Sequence, residues 1–475
     1  MTKACDLSAV EARRLIGQKK LSPVELMDSC LERIGETNKT YNSVVSLDEK
    51  SAKKQAKAAE KAVMAGDTLG VLHGLPVGIK DLHSVAGLKC TWGSLIFKDN
   101  VPKVDDSMVA NVRNAGGLAF AMTNVPEFGA GANTRNRVYG ATGNAFNPKL
   151  TAAGSSGGAA VGLALGQMPL ATGSDYAGSL RTPAAFNGVF GFRPSPGIVP
   201  SPDKIAGLIP WGVVGPMGRS VEDLYLLLRA QLDHDIADPF SSADAYDFPE
   251  ALSDADLSDL RVAITTDFGV CPIDKQIAKI FKSRVQQFKG VFGVADEATW
   301  DCHDLHEIFE IHRGLSYLTS HQDKLAKHRK MLDTNVIDNT ERGLKLTAAE
   351  IGRGFQMQHA YAKRVAAFFE DYDVLIAPTA AVSPFPHEQL YVTEINGEKM
   401  ENYTRWMALV YAPTMALCCA LSIPCGVDHK GMPFGIQIVG PKGRDRLVLE
   451  VGRALEAELS RTPATRRPVP PVISG

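Results

Sequence analysis

An α/β fold is what this chain of 475 residues predicts, on three observations. Short apolar runs that suit buried strands alternate with longer amphipathic stretches that suit helices, the pattern of a sheet covered by helices. The composition, 45% hydrophobic and 22% charged, is that of a soluble globular protein with a large core. Residues 129–191 are dense in Gly, Ser, Ala, Asn and Thr. They also hold the packable segments 159–165 and 188–192, so we read a core of small residues rather than a flexible linker.

The elements follow in order. Residues 1–70 read as helical. Ser22-Pro23-Val24-Glu25 has the form of a capping box with proline at the first helical position, and Val24, Met27, Leu31 and Ile34 share the next helical face. A second helix, rich in Ala and Lys, is expected over 49–65. Residues 72–79 form a glycine-interrupted apolar run, a buried strand ending at Lys80. A helix and then a strand are expected over 107–125, and Ser220 opens a further capped helix. Nine Asp or Glu and no Lys or Arg lie in 233–259, which marks a solvated loop rather than a metal site. Residues 261–265 return to strand, 274–370 are mainly amphipathic helix, and 372–378 and 422–427 suit buried strands. The proline-rich tail, 462–471, is expected to lie along the surface.

Several classes drop out on composition. A net charge of −2 gives no general attraction to nucleic acid or to an anionic membrane. Residues 406–427 carry no charge and are long enough to span a bilayer, but Pro413, Thr414, Ser422 and Pro424 fit a buried helix, a turn and a strand better. The first residues lack the apolar core of a signal peptide, so a cytoplasmic location is expected. Eight cysteines are too sparse for a disulfide scaffold, and Cys418, Cys419 and Cys425 read as buried thiols. Cys302, His303, His306, Glu307 and His312 include a His pair three apart that could share a helix face around zinc. Their amphipathic surroundings favour surface or pocket-lining side chains, and no metal is expected.

The chemistry concentrates in three stretches. Gly173-Ser174-Asp175-Tyr176-Ala177-Gly178-Ser179-Leu180-Arg181 places small residues where the amides of Tyr176, Ala177, Gly178 and Ser179 can converge on one oxyanion. Ser179 closes that turn as candidate nucleophile, and Asp175 and Arg181 hold the loop by pairing or by bonds to backbone amides. Gly74-Leu75-Pro76-Val77-Gly78-Ile79-Lys80-Asp81 ends an apolar run on a lysine, which burial can tune into a neutral base. Gly154-Ser155-Ser156-Gly157-Gly158 also fits the G-x-S-x-G elbow of α/β-hydrolases with Ser156 at its centre. No hydrophobic strand precedes it, however, and no downstream histidine stands out. No phosphate-binding or dinucleotide fingerprint is present.

Taken together, these stretches resemble the amidase signature family. The resemblance spans nearly the whole chain and also takes in Thr123-Asn124-Val125-Pro126-Glu127-Phe128-Gly129, Gly191-Phe192-Arg193-Pro194-Ser195 and Gly431-Met432-Pro433-Phe434-Gly435-Ile436-Gln437-Ile438-Val439-Gly440. It implies one α/β domain over 1–475 with a mixed, mostly parallel sheet, a signature core over 71–230 and a variable, substrate-shaping region over 274–410. It further implies C–N bond hydrolysis without metal or organic cofactor. In that scheme Ser179 is the nucleophile, Ser155 the bridging serine with a cis peptide, and Lys80 the base. Tyr176-Ala177 departs from the family's usual glycine before Gly178-Ser179, which either strains the turn or reshapes the pocket floor; we expect the latter. Phe128, Gly129 and Ala130 are the expected substrate-binding loop, and Trp300, Tyr317, Phe355, Tyr403 and Trp406 are candidate pocket aromatics. The expected substrate is a small uncharged amide or an acyl hydrazide. Two other readings are the amidase subunit of a tRNA-dependent amidotransferase and a non-catalytic binding protein of the same fold. Homodimers are common in the family, so a homodimer is the assembly the resemblance suggests.

Overall fold

The computed structural model describes residues 3–241, 243 and 247–474, so part of the acidic stretch, 242 and 244–246, lies outside the described residues. The N-terminal region holds three helices, α1 (Ala9–Gly17), α2 (Pro23–Tyr41) and α3 (Glu49–Ala65), but also a strand over Val44–Leu47 that the expectation of helix over 1–70 did not include. Ser22 caps α2 by accepting from Val24 N rather than from Glu25. Its hydroxyl instead donates to Glu60 on α3 at 2.5 Å, which ties the two helices together.

Among the described residues eleven strands form one sheet. In chain order they are β1 (Val44–Leu47), β2 (Pro76–Lys80), β3 (Leu118–Thr123), β4 (Leu170–Asp175), β5 (Phe190–Arg193), β6 (Val213–Gly218), β7 (Arg261–Ile264), β8 (Val294–Glu297), β9 (Val374–Pro378), β10 (Cys419–Val427) and β11 (Pro433–Gly440). Across the sheet they run β1-β3-β2-β4-β6-β5-β10-β11-β9-β7-β8. The sheet is mixed, as expected, but six of its ten neighbouring pairs are antiparallel. The expectation of a mostly parallel sheet is corrected accordingly. The cause lies in the connections. Helical crossovers make β3, β2 and β4 parallel at one end and β9, β7 and β8 parallel at the other. The β5–β6 and β10–β11 links contain no α-helix and return antiparallel.

The covering helices continue with α4 (Ser107–Asn114), α5 (Gly157–Ala164), α6 (Arg181–Asn187), α7 (Val221–Gln231), α8 (Lys275–Phe288), α9 (Leu305–His328), α10 (Thr334–Lys345), α11 (Ala348–Asp371) and α12 (Ala408–Met415). Every residue of α5 is buried, and a Cβ at Gly158 would stand 2.3 Å from the Asn124 backbone N. Residues 129–191 are thus a core in which main chain approaches main chain, not a linker. The uncharged segment 406–427 divides into α12, a turn and β10, and among the described residues no helix is long and apolar enough to cross a membrane. The tail folds back, with Arg467 Nε donating to Gly188 O at 2.7 Å.

Candidate active site

Strands β2 and β4 are parallel neighbours, so their C-terminal ends bring Lys80 and Asp175 to the same edge of the sheet, where α/β folds open their crevices. The N-terminus of α5 and the turn between β4 and α6 close around that edge. The Gly154–Ser155 peptide is cis.

Lys80 is fully buried. Its Nζ lies 2.8 Å from Ser155 Oγ, 2.8 Å from Ser156 Oγ, 2.9 Å from Ser174 Oγ and 3.3 Å from Ser174 O. An ammonium has three hydrogens for these four oxygens; a neutral amine donates two and accepts from one hydroxyl. Burial pushes the Lys80 ammonium down to about 7, with Asp175 restoring only part of the loss. The site therefore holds a lysine that exchanges a proton near neutrality.

Asp175, Arg181 and Arg193 form a fully buried knot. Arg181 Nε and Nη2 donate to the two Asp175 carboxylate oxygens at 3.0 and 3.1 Å, and Arg193 Nη1 donates to the Asp175 carbonyl at 2.7 Å. Burial pushes the carboxyl up, but the Arg181 and Arg193 guanidiniums more than offset this and hold it at about 2. Asp175 Oδ1 and Oδ2 also accept from Gly178 N and Leu180 N, at 2.9 and 3.2 Å. The expected loop-holding pair is present, and the carboxylate grips the turn on either side of Ser179.

That grip narrows the expected oxyanion hole. The Gly178 N–H is committed to Asp175, whereas among the described residues no protein acceptor takes the N–H of Tyr176, Ala177 or Ser179. The Tyr176-Ala177 departure costs no backbone strain. Positive φ falls on Gly178, at 91°, and not on Ala177. A Cβ at Gly178 would come within 2.3 Å of Val410 Cγ2, so glycine is required there and alanine is acceptable one position earlier.

A cavity of about 200 Å³ opens beside this turn. Ser155, Ser174, Ala177 and Ser179 form one wall; Phe128 and Gly129 line it as expected, and so do the candidate aromatics Tyr317 and Tyr403. Ser155 and Ser179 share this wall, but among the described residues no direct hydrogen bond joins their hydroxyls. Ala130, expected in the wall, and three of the candidate aromatics lie elsewhere. Ala130 faces away, packed with Leu325, Leu332 and Val336, while its carbonyl accepts from Asn335 Nδ2 at 2.9 Å. Trp300 is in the core, donating to Tyr361 Oη at 2.6 Å; Trp406 packs edge-on to Phe385; Phe355 is half exposed.

Ser156 is fully buried against Lys80 and does not line the cavity. The chain before it is loop, with isolated bridges at Leu150 and Thr151 rather than a strand, so the elbow reading is overturned. The histidine cluster disperses. His303 pairs with Asp301 at the surface, and His306 bonds Tyr411 Oη at 2.6 Å. His312 stacks 4.2 Å from Trp211. Among the described residues no group of three or more candidate ligands converges on a metal position.

The far wall lies outside every motif of the sequence. It comes from α9, whose Arg313, Ser316, Tyr317, Ser320 and His321 face the cavity. Their spacing of three and four marks one helical face, although no local signature singles it out. Tyr176 bridges the two walls: its hydroxyl reaches the His312 carbonyl at 3.2 Å and Ser316 Oγ at 3.0 Å. Burial, with Lys324 and Arg313 nearby, lowers His321 to about 3, so this wall carries no imidazolium at neutral pH.

Known proteins resemble this chain along nearly its whole length. A family model described as Amidase matches residues 25–449. An acylamidase of Rhodococcus erythropolis is 32% identical over 454 residues, covering 95% of both chains. A glutamyl-tRNA(Gln) amidotransferase subunit of Alkaliphilus metalliredigens is 27% identical, covering 96% of both. Among solved structures, a bacterial aryl acylamidase of the amidase signature family superposes with a TM-score of 0.86 at 25% identity over 96% of each chain.

Proposed function

Because the chain belongs to the amidase family and is a hydrolase of carbon–nitrogen bonds, we propose that it cleaves small acyl amides or acyl hydrazides through Ser179, Ser155 and Lys80. The observation that carries this reading is the fully buried Lys80, 2.8 Å from Ser155 Oγ, behind a cavity wall that also includes Ser179.

In this scheme Ser179 Oγ attacks the acyl carbon, its proton passes to Ser155 Oγ, and the Ser155 proton passes to neutral Lys80 Nζ. The carbonyl oxygen, now anionic, takes the free N–H groups of Tyr176, Ala177 and Ser179, each worth about 2.7–4 kcal/mol in a formed hole. The Lys80 proton then returns through Ser155 to the leaving nitrogen as the C–N bond breaks. Water repeats the relay on the acyl-serine and releases the acid. The Ser155–Ser179 leg closes when substrate fills the cavity, since catalytic hydrogen bonds commonly tighten only in the complex.

The test is amine or hydrazine release from benzamide, anilide, hydrazide, ester and glutamine substrates, with the wild type run beside Ser179→Ala. We expect turnover of amide or hydrazide to fall by roughly 10^3-fold or more in the variant. Turnover that survives the substitution, or none across the panel, contradicts the reading. Activity on glutamine alone, and only with a copurifying partner, would instead support the amidotransferase reading, whose relative matches at 27% against 32% for the acylamidase.

A further inference from the structure

Among the described residues Arg313 is a buried cation with no counter-ion. It is 6% exposed, lines the cavity, and among the described residues pairs with no carboxylate. Its Nε donates to Asn339 Oδ1 at 3.3 Å and its Nη2 to the hydroxyls of Tyr317 and Tyr403, at 3.0 and 2.7 Å. The two Nη1 hydrogens have no acceptor among the described residues. The guanidinium lies 5.0 Å from the Tyr176 ring centroid and 4.3 Å from that of Tyr317, which offsets only part of the charge.

The donor count extends the point. Tyr403 Oη accepts from Arg313 and from Asn339 Nδ2, the latter at 2.8 Å, so its own hydrogen must be donated elsewhere. The Tyr317 hydroxyl also accepts from Arg313 and keeps its hydrogen. Arg313, Tyr317 and Tyr403 thus line the cavity with an Nη1 group and two phenolic hydrogens left to donate, and among the described residues no Asp or Glu lines it. A site made of donors around an uncompensated positive charge selects a group that only accepts and carries negative charge. The planar guanidinium fork matches a carboxylate.

We propose that Arg313, with Tyr317 and Tyr403, binds a carboxylate on the non-reacting end of the substrate, so that the preferred substrates are amides or hydrazides of dicarboxylic or carboxyl-bearing acids. This rests on the reading of the Ser179 cavity as the substrate site, and it departs from the expectation of an uncharged substrate.

Binding separates the two claims. Ser179→Ala protein is titrated calorimetrically with 4-carbamoylbenzoate and with its neutral isostere terephthalamide. The carboxylate is expected to bind at least about tenfold more tightly, and Arg313→Gln in that background to reduce the preference below about threefold. Arg313→Lys, which keeps the charge but not the fork, should fall between. Equal binding of the two probes before any change at Arg313 overturns the proposal, as does an Arg313→Gln variant that weakens both equally, the signature of a purely structural arginine. Because no turnover enters the measurement, a carboxylate preference that depends on Arg313 stands even if Ser179 proves not to be the nucleophile.

Discussion

Replacing Lys80 by methionine is expected to lower kcat/KM by about 10^2–10^4-fold, the usual share of a general base, while the chain stays folded. Burial holds this lysine at about 7 in the folded protein, against about 10.4 for the free side chain. The sign follows from proton binding. Below about 7 the native Lys80 is protonated and cannot accept the serine proton, so wild-type kcat/KM should fall about tenfold per pH unit there and level off above. Between about 7 and 10.4 the unfolded chain binds the proton and the native chain does not, so this group's contribution to stability rises with pH. At neutral pH the depressed value costs the fold on the order of 4 kcal/mol. Methionine removes that cost while freeing three serine hydroxyls, and these effects oppose each other. The check is a pH–rate profile of wild type beside Lys80→Met. A wild-type profile that is flat from pH 5 to 9, or a variant retaining the same inflection, would rule out Lys80 as the base.

Asp175→Ala is expected to act on stability and activity together. The carboxylate accepts from Arg181 and from the amides of Gly178 and Leu180, and it faces Arg193, all without solvent. Removing it strands two buried guanidiniums, a loss of about 3–5 kcal/mol. It also frees the turn that aims Ser179, so activity should fall further than the folded fraction does. Asp175→Asn, which keeps the shape without the charge, should lose less stability. Thermal melts and turnover at a temperature where each variant is folded separate the two effects. An Asp175→Ala protein that melts with wild type would show that the knot contributes little.

How much of this was legible depended on sequence distance. Lys80, Ser155, Ser179 and the Asp175–Arg181 pair lie in compact stretches whose glycines and small residues mark them, and the structure brings them to one edge of the sheet. Ser174 and Ser156 as partners of Lys80 were harder to see, because a hydroxyl's direction depends on the cis turn and the strand end, not on residue type. The α9 wall lies more than 130 positions beyond Ser179, and Arg313 there looks like any arginine of an amphipathic helix until packing buries it. The edge strand β8 is largely exposed, and only Val294 and Ala295 of Val294–Glu297 are apolar, too short a run to reveal it. Strand direction escaped for a related reason: periodicity reports which face is buried, not which way the chain runs.

The proposed passage of acyl groups through Ser179 can be tested by quenching wild-type enzyme with acid during turnover of a slow hydrazide or anilide and mapping the acyl adduct by peptide mass spectrometry. One acyl group per chain is expected, on the peptide carrying Ser179 and on that serine. An adduct on Ser155 or Ser156 instead, or none despite a rapid burst of released amine, would contradict it.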